Sequence, residues 1–196
     1  MAGPFAPLIG ALIGALGGAI YWLGVQIWPS SVALIVSMAA TALLTARIRI
    51  ALQATRLDVM IGVLCLLIKY NALMALSAAK LPFAVAPNVP PALIMVCGYA
   101  ASFALMASVA AARPAETAPR SGSGAMVAAL VLGFAPAALL AIPGLIGLAT
   151  AVAAALSIIA FLKSKRRAAS EGVLDMTQLL AEVGFYLGAL ASWRYV

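Results

Sequence analysis

The chain alternates between long apolar runs and short polar connectors. A membrane-spanning helix needs about 20 mainly apolar residues, and seven segments approach or reach that length: Phe5–Ile27, Ser31–Ala46, Val59–Ala79, Ala92–Ala112, Ala125–Ala141, Pro143–Leu162 and Thr177–Trp193. The runs lack the strict alternation of apolar and polar residues that marks the strands of an outer-membrane barrel. The pattern therefore predicts an all-α, polytopic transmembrane helix bundle with about seven spanning helices.

Two of these segments leave alternatives open. The second is short, and an extension into Arg47–Thr55 is one interpretation. Only Ile142–Pro143–Gly144 separates the fifth segment from the sixth, so the two form either a tight hairpin of two spans or one re-entrant unit. No composition shift marks a second domain, and we expect residues 1–196 to form a single integral membrane domain.

The basic residues of the connectors predict the orientation of the chain. Connectors on the N-terminal side of the membrane contain nine of them: Arg47, Arg49, Arg56, Arg113, Arg120, Lys163, Lys165, Arg166 and Arg167. The opposite side has only Lys80 and Arg194. Because Lys and Arg accumulate in cytoplasmic loops, we expect a multi-pass protein of the bacterial inner membrane with its N-terminus in the cytoplasm. Met1–Pro7 lacks the charged region of a signal peptide, so the first segment is expected to be retained.

Composition narrows the function classes. Hydrophobic residues make up 66% of the chain and charged residues 9%, with a mean hydropathy of +1.15. Soluble domains have roughly 45–50% apolar residues and about 25% charged residues. A soluble domain and a disordered chain are therefore excluded. The net charge of +7 lies in connectors, which suits the lipid bilayer and its anionic headgroups rather than a nucleic acid. Histidine is absent, which excludes imidazole metal sites and Ser-His or Cys-His pairs.

A stripe of small residues runs along the first segment. Gly10, Gly14 and Gly18 recur at every fourth position and therefore share one face of a helix. Such stripes let another helix approach closely. We favour packing within the chain, and a seam between two copies is the alternative.

Lys69 is the only charged residue well inside a predicted span. It lies about 15 Å from the start of the third segment at 1.5 Å per residue. An ammonium group at that depth needs a partner or a wet cavity. We therefore predict that Lys69 lies within reach of Glu182 or of a polar cavity, with Tyr70 and Asn71 adding polar groups beside it.

The acidic residues offer a candidate metal site. Asp175 and Glu182 are seven residues apart, so they share a face if the last helix begins near Asp175. Two carboxylates on one face near a basic loop suit Mg²⁺ and a diphosphate, and a salt bridge to Lys69 or Arg56 is the alternative.

Basic residues at the same side of the membrane offer a candidate phosphate site. Arg56, Lys163 and Lys165 are candidate ligands for a phosphate-rich substrate approaching from the cytoplasm. The alternative is that they are ordinary charges of the membrane surface.

Several segments, taken in order, resemble the cobalamin synthase family. Pro4–Ala15 resembles the family's F-P-L-I-G-x-x-x-G-A opening, and Arg56–Lys69 resembles its S-R-x-G…G-V-L-A-L…K stretch. Ala112-Arg113-Pro114 resembles its A-R-P loop. Gly172, Asp175 and Glu182 resemble its G-x-T-G-D-x-L-G-A-x-x-E signature, in which Asp175 falls on the Asp and Glu182 on the Glu seven residues later.

The resemblance implies a specific reaction and a set of site residues. Members of this family join α-ribazole phosphate to adenosylcobinamide-GDP with release of GMP, using Mg²⁺. The implied substrate is a corrinoid nucleotide. The implied catalytic residues are Asp175, Glu182 and Lys69, and the implied metal ligands are Asp175 and Glu182.

The chain also departs from the family pattern. The family has an acidic stretch, H-L-D-G-L-A-D-T-x-D-G, directly after L-T-G, whereas Thr45 is followed here by a segment with two arginines and no acid. Val173-Leu174 replaces the Thr-Gly of the later signature. Loss of the acidic ligands is expected to weaken Mg²⁺ binding and stabilisation of the leaving group.

Three hypotheses follow from these observations. The first is a divergent transferase of cobalamin nucleotide-loop assembly, with Mg²⁺ as its cofactor. The second is a pseudoenzyme without a cofactor, acting as a partner or subunit of a membrane complex. The third is a small transporter that uses Lys69 and Glu182, although no inverted repeat supports it. Assembly with identical or with different chains is left open, and no nucleic-acid partner is expected.

Overall fold

The chain folds into a bundle of α-helices. A computed structural model describes residues 5–49, 56–77, 89–111, 123–164 and 171–193, and these residues contain no strand. The helices are α1 (Ala6–Gly24), α2 (Ser30–Arg49), α3 (Arg56–Ser77), α4 (Val89–Ala111), α5 (Ser123–Ala138), α6 (Ala141–Ser164) and α7 (Glu171–Trp193). Each corresponds to one apolar segment, so the predicted all-α class is confirmed.

Five of these helices are long and apolar enough to cross a bilayer. They are α1, α3, α4, α6 and α7, while the described apolar parts of α2 and α5 are shorter. Helices satisfy their own backbone hydrogen bonds, which is the condition for crossing hydrocarbon. The protein is therefore a multi-pass helical membrane bundle.

Helix α4 lies at the centre of the bundle. It contacts α1, α3, α5, α6 and α7, and 72% of its apolar span is buried, against 22% for α6. Ala, Ser, Gly and Cys predominate among its inward-facing residues, so neighbouring backbones can approach it from several sides. The other helices surround it and present much of their apolar surface outward.

The glycine stripe of α1 packs against α4. A Cβ atom on Gly10 would lie 2.6 Å from the Tyr99 carbonyl oxygen, one on Gly14 would lie 2.7 Å from the Val96 Cα, and one on Gly18 would lie 2.8 Å from the Ala92 Cβ. The two helices are antiparallel because residue numbers rise along α1 as they fall along α4. The stripe is thus an intramolecular contact, as favoured from the sequence, and its alternative interpretation as a seam between copies was wrong.

Small residues also bring α6 and α7 together. The Thr150 hydroxyl donates a hydrogen bond of 2.8 Å to the Gly184 carbonyl of α7. A Cβ atom on Gly147 would lie 2.9 Å from the Phe185 carbonyl oxygen. Close backbone approach and interhelical hydrogen bonds replace the hydrophobic driving force that is missing between helices in lipid.

The connection between α5 and α6 differs from the predicted one. Leu139 and Leu140 form the turn, and Ala141 has a positive φ of 51° as it begins α6. The predicted break at Ile142–Pro143–Gly144 was wrong, because those residues lie in the first turn of α6. Proline is tolerated there since the first N–H groups of a helix have no intrahelical acceptor.

Helix α7 begins earlier than its apolar pattern indicates. It begins at Glu171, whereas the predicted span begins at Thr177. The additional turns place Asp175 inside the helix, which satisfies the condition for Asp175 and Glu182 to share a face. The second segment also continues beyond its predicted end, to Arg49, and the rest of the Arg47–Thr55 stretch lies outside the described residues.

The close contact between α1 and α4 generates a stability prediction. We expect Gly14→Ala to lower the free energy of unfolding by about 1–3 kcal/mol, because the methyl group would overlap the α4 backbone. Gly62→Ala is the matched control, since a Cβ atom there meets nothing within 4 Å. Thermal unfolding of both variants in detergent measures the difference, and an equal effect at the two positions would contradict the packing.

Candidate functional site

A buried ion pair joins α3 to α7. The Lys69 Nζ lies 2.5 Å from the Glu182 Oε1, and each side chain is only 3% exposed. The depth of Lys69 predicts that its ammonium lies within reach of Glu182 or of a polar cavity, and the structure confirms the first of these. The pair neutralises two charges that would each carry a large desolvation penalty alone in hydrocarbon.

Two tyrosines complete the cluster around the ion pair. Lys69 donates a hydrogen bond of 2.8 Å to the Tyr99 hydroxyl of α4, and the Tyr186 hydroxyl donates one of 2.9 Å to the Glu182 Oε1. The ammonium also lies 4.4 Å from the centre of the Tyr99 ring, within the range of a cation–π contact. Lys69, Glu182, Tyr99 and Tyr186 are called the polar cluster below.

The three helices bring these residues to one depth. At 1.5 Å per residue, Lys69 lies about 20 Å from the start of α3 and Glu182 about 17 Å from the start of α7, while Tyr99 lies about 18 Å from the end of α4. These positions coincide when α3 and α7 run parallel and α4 runs the opposite way. Alternate crossings of a membrane give those directions.

A glycine on α4 makes room for the cluster. A Cβ atom on Gly98 would lie 2.6 Å from the Tyr186 ring and 2.8 Å from its hydroxyl. The ring therefore packs directly on the α4 backbone, and its hydroxyl is held beside the Glu182 carboxylate.

A buried amide lies one helical turn from the ion pair. Gln178 is 2% exposed, and no donor among the described residues reaches its Oε1 atom. Its position four residues before Glu182 places both side chains on neighbouring parts of one face of α7. The polar surface of α7 thus continues from the ion pair toward Asp175.

The geometry around Glu182 does not suit a magnesium ion. Its Oε1 atom is already engaged by an ammonium and a phenol, and Asp175 lies about 10 Å away along the axis of α7. Mg²⁺ requires several oxygen ligands in near-octahedral geometry. Within the described ranges, no group of three acidic, cysteine or histidine residues could hold a metal. Glu182, as held here, does not fit the magnesium ligation that the resemblance implies, and we derive no step through a metal. A metal-binding role for Asp175 stays a prediction.

Of the remaining predicted site residues, Asp175 is the one whose side chain the structure describes, and it lies outside the polar cluster. Asp175 is half-buried on α7, nearer its start. Arg56 is the first residue of α3 and Lys163 lies in the last turn of α6, but their side chains are outside the described part of the structure, as is the whole of Lys165. Their proposed phosphate-binding role stays a prediction.

Sequence reasoning missed three members of this region: Tyr99, Tyr186 and Gln178. The signal for two of them is their spacing, because Gln178 and Tyr186 each lie four residues from Glu182. Tyr99 has no comparable signal, since its place depends on how α4 packs. The polar neighbours singled out beside Lys69 do not join the cluster, because Asn71 faces outward and Tyr70 is only half-buried.

Comparisons with known proteins give one partial match. An adenosylcobinamide-GDP ribazoletransferase of Leptothrix cholodnii is 51% identical over 39 residues, which cover 20% of this chain and 15% of that protein. No family model matches the chain, and no solved structure matches it. The similarity supports a relationship over one segment.

The ion pair generates a prediction for single and double variants. We expect Lys69→Met or Glu182→Gln alone to lower the free energy of unfolding by about 3–5 kcal/mol. The first variant leaves the Glu182 carboxylate, and the second leaves the Lys69 ammonium, buried without an opposite charge. The double variant should recover most of that loss, since no isolated charge remains. Thermal unfolding in detergent measures the four proteins, and strictly additive losses would contradict the pairing.

The tyrosine hydroxyl beside Glu182 generates a second prediction. Tyr186→Phe keeps the ring on Gly98 but removes a hydrogen bond to a charged acceptor, which is worth about 1.5–3 kcal/mol. Tyr70→Phe is the matched control, because its hydroxyl lies outside the polar cluster. Equal unfolding temperatures for the two variants would show that the Tyr186 hydroxyl contributes nothing to the cluster.

Proposed function

We propose that this chain acts in the nucleotide-loop assembly of cobalamin biosynthesis, as a divergent membrane relative of ribazoletransferases. The observation that carries the proposal is the segment of 51% identity to an adenosylcobinamide-GDP ribazoletransferase. It occurs in a chain that is itself a multi-pass helical bundle. In this proposal, α-ribazole phosphate and adenosylcobinamide-GDP are the substrates.

The arrangement of helix ends supports this proposal. Arg56 begins α3, Lys163 lies near the end of α6, and Asp175 lies one turn into α7. If consecutive helices cross in alternate directions, these three ends lie on one side of the membrane. The basic excess of the connectors there makes that side the cytoplasmic one in this proposal, where nucleotide substrates are available.

In this proposal, the residues at the helix ends and the buried Lys69–Glu182 pair have different roles. Asp175 and the basic residues at the helix ends are proposed to contact the phosphate groups and the reacting atoms. Lys69 and Glu182 are proposed to position α3 and α7 relative to one another, because each already engages the other inside the bundle. They thereby determine how far apart the ends of these helices lie.

A non-catalytic role in a membrane complex is the second candidate. It is favoured by Glu182, which matches the family's glutamate and is occupied by Lys69 and Tyr186. The helical run of α2 also continues to Arg49 through basic residues, where the family has its acidic stretch. In this alternative the scaffold is retained and the chain supports another subunit.

A transferase assay with a charge-matched control tests these candidates. Purified protein in proteoliposomes is given adenosylcobinamide-GDP, α-ribazole phosphate and Mg²⁺, and release of GMP is measured. We expect turnover in the wild type and its loss in Asp175→Asn, because the variant lacks the carboxylate that is proposed to contact the reacting atoms. Glu171→Gln removes one negative charge from the same helix and should retain turnover.

Each outcome distinguishes the candidates. Absence of product at high protein concentration would overturn the transferase proposal, and a partner purified at fixed stoichiometry would then support the subunit role. Equal rates for Asp175→Asn and the wild type would remove Asp175 from the site. Unfolding temperatures of both variants show whether a lost rate reflects a lost fold.

A further inference from the structure

Asn71 presents an amide group on the outer surface of α3. It lies within the apolar span Met60–Ser77, about 9 Å from its end at 1.5 Å per residue, and its side chain is exposed. The Nδ2 atom donates one hydrogen bond of 2.8 Å to the Leu67 carbonyl of its own helix. Its second N–H and its Oδ1 atom reach no partner within the described residues.

The exposed hydroxyl of Ser157 does not share this condition. The Ser157 hydroxyl on α6 donates its one proton to the Ala153 carbonyl, 2.8 Å away on the same helix. A serine hydroxyl can be satisfied in this way, whereas an amide has two donors and one acceptor and cannot. Hydrocarbon supplies no hydrogen bonds, so the unpaired groups of Asn71 carry a penalty unless another polar group covers them.

The residues around Asn71 form a regular apolar face. Met60, Leu64 and Leu67 are 65%, 58% and 55% exposed, and with Asn71 they follow at spacings of four, three and four residues. This is the heptad spacing of a two-helix seam, in which a single asparagine can specify the register and the number of helices.

We propose that α3 pairs with α3 of a second copy of this chain through the seam of Met60, Leu64, Leu67 and Asn71. Copies inserted in the same orientation present parallel α3 helices, so a twofold axis along the membrane normal places equivalent residues face to face. An asparagine is complementary to itself, because the free N–H of each copy can donate to the Oδ1 of the other. This self-complementarity is our reason for proposing a second copy as the partner.

The proposal concerns a different surface from the glycine stripe of α1. That stripe is already covered by α4, whereas the α3 face is covered by no helix of the described chain. The proposal is independent of the proposed function, because it rests on the outward face of α3 rather than on the cytoplasmic helix ends.

Counting copies in lipid tests the seam. Labelled full-length protein is reconstituted at low density in phosphatidylcholine and phosphatidylglycerol vesicles, and photobleaching steps are counted. We expect mostly two steps for the wild type and one step for Asn71→Leu. Asn71→Gln should retain dimers, because it preserves the amide, and Leu145→Ala on the exposed face of α6 is the control that should retain them fully.

Cross-linking locates the interface independently. In a background of Cys65→Ser and Cys97→Ala, Leu67→Cys should form a disulfide-linked dimer on mild oxidation. Leu156 on α6 is 57% exposed, and Leu156→Cys should form no such dimer. In detergent at a dilution where the wild type is monomeric, the unfolding temperature of Asn71→Leu should match that of the wild type, because within one copy Asn71 hydrogen-bonds only to its own helix.

Three results would overturn the proposal. One is a monomeric wild type across a hundredfold range of protein density in the vesicles. Another is dimers that persist unchanged in Asn71→Leu or cross-link through α6 instead. The third combines two observations: the protein is monomeric in vesicles, and in its native membrane Leu67→Cys cross-links to a different chain. That result would assign the α3 face to another partner.

Discussion

The pairing of Lys69 with Glu182 is the interaction on which the arrangement of the bundle depends. Both groups lie deep inside helices that cross an apolar medium, where a single charge is costly and a neutral pair is not. The pair therefore restricts α3 and α7 to positions that bring these two side chains to one depth. Tyr99 extends the same restriction to α4, because its hydroxyl accepts a hydrogen bond from the ammonium. A buried pair of this kind contributes specificity of register more than net stability.

Close backbone packing allows this cluster to form. Gly98 leaves the space that the Tyr186 ring occupies, and from that position the phenol donates a hydrogen bond to the Glu182 carboxylate. On the opposite side of α4, Gly14 lets α1 approach to backbone contact. Because apolar side chains gain little from leaving lipid for a helix interface, such close contacts supply most of the attraction between helices. The small residues and the polar cluster thus act on the same central helix.

The sequence predicts most of the architecture because hydrocarbon imposes strict rules on length and charge. The seven helices of the described residues follow from apolar runs, and the cost of an isolated buried charge predicts that Lys69 has a partner such as Glu182 or a polar cavity. Local backbone details were less predictable: Pro143 suggested a break that the first turn of α6 absorbs. Tyr99 could not be found from sequence, because its role depends on the rotation of α4 and on which helices α4 contacts.

Glu182 shows why a matching residue does not by itself establish a matching role. It occupies the place of a glutamate in the family signature, yet its carboxylate is engaged by a lysine and a tyrosine within the bundle. A carboxylate held in this way is a poor metal ligand, since binding a cation would leave the Lys69 ammonium without its partner. It is well suited to fix the spacing between the starts of α3 and α7, where Arg56 and Asp175 lie. Under the proposed function, the buried pair therefore acts at a distance on whatever the helix ends bind, and its loss would disturb that spacing before it removed any reacting group.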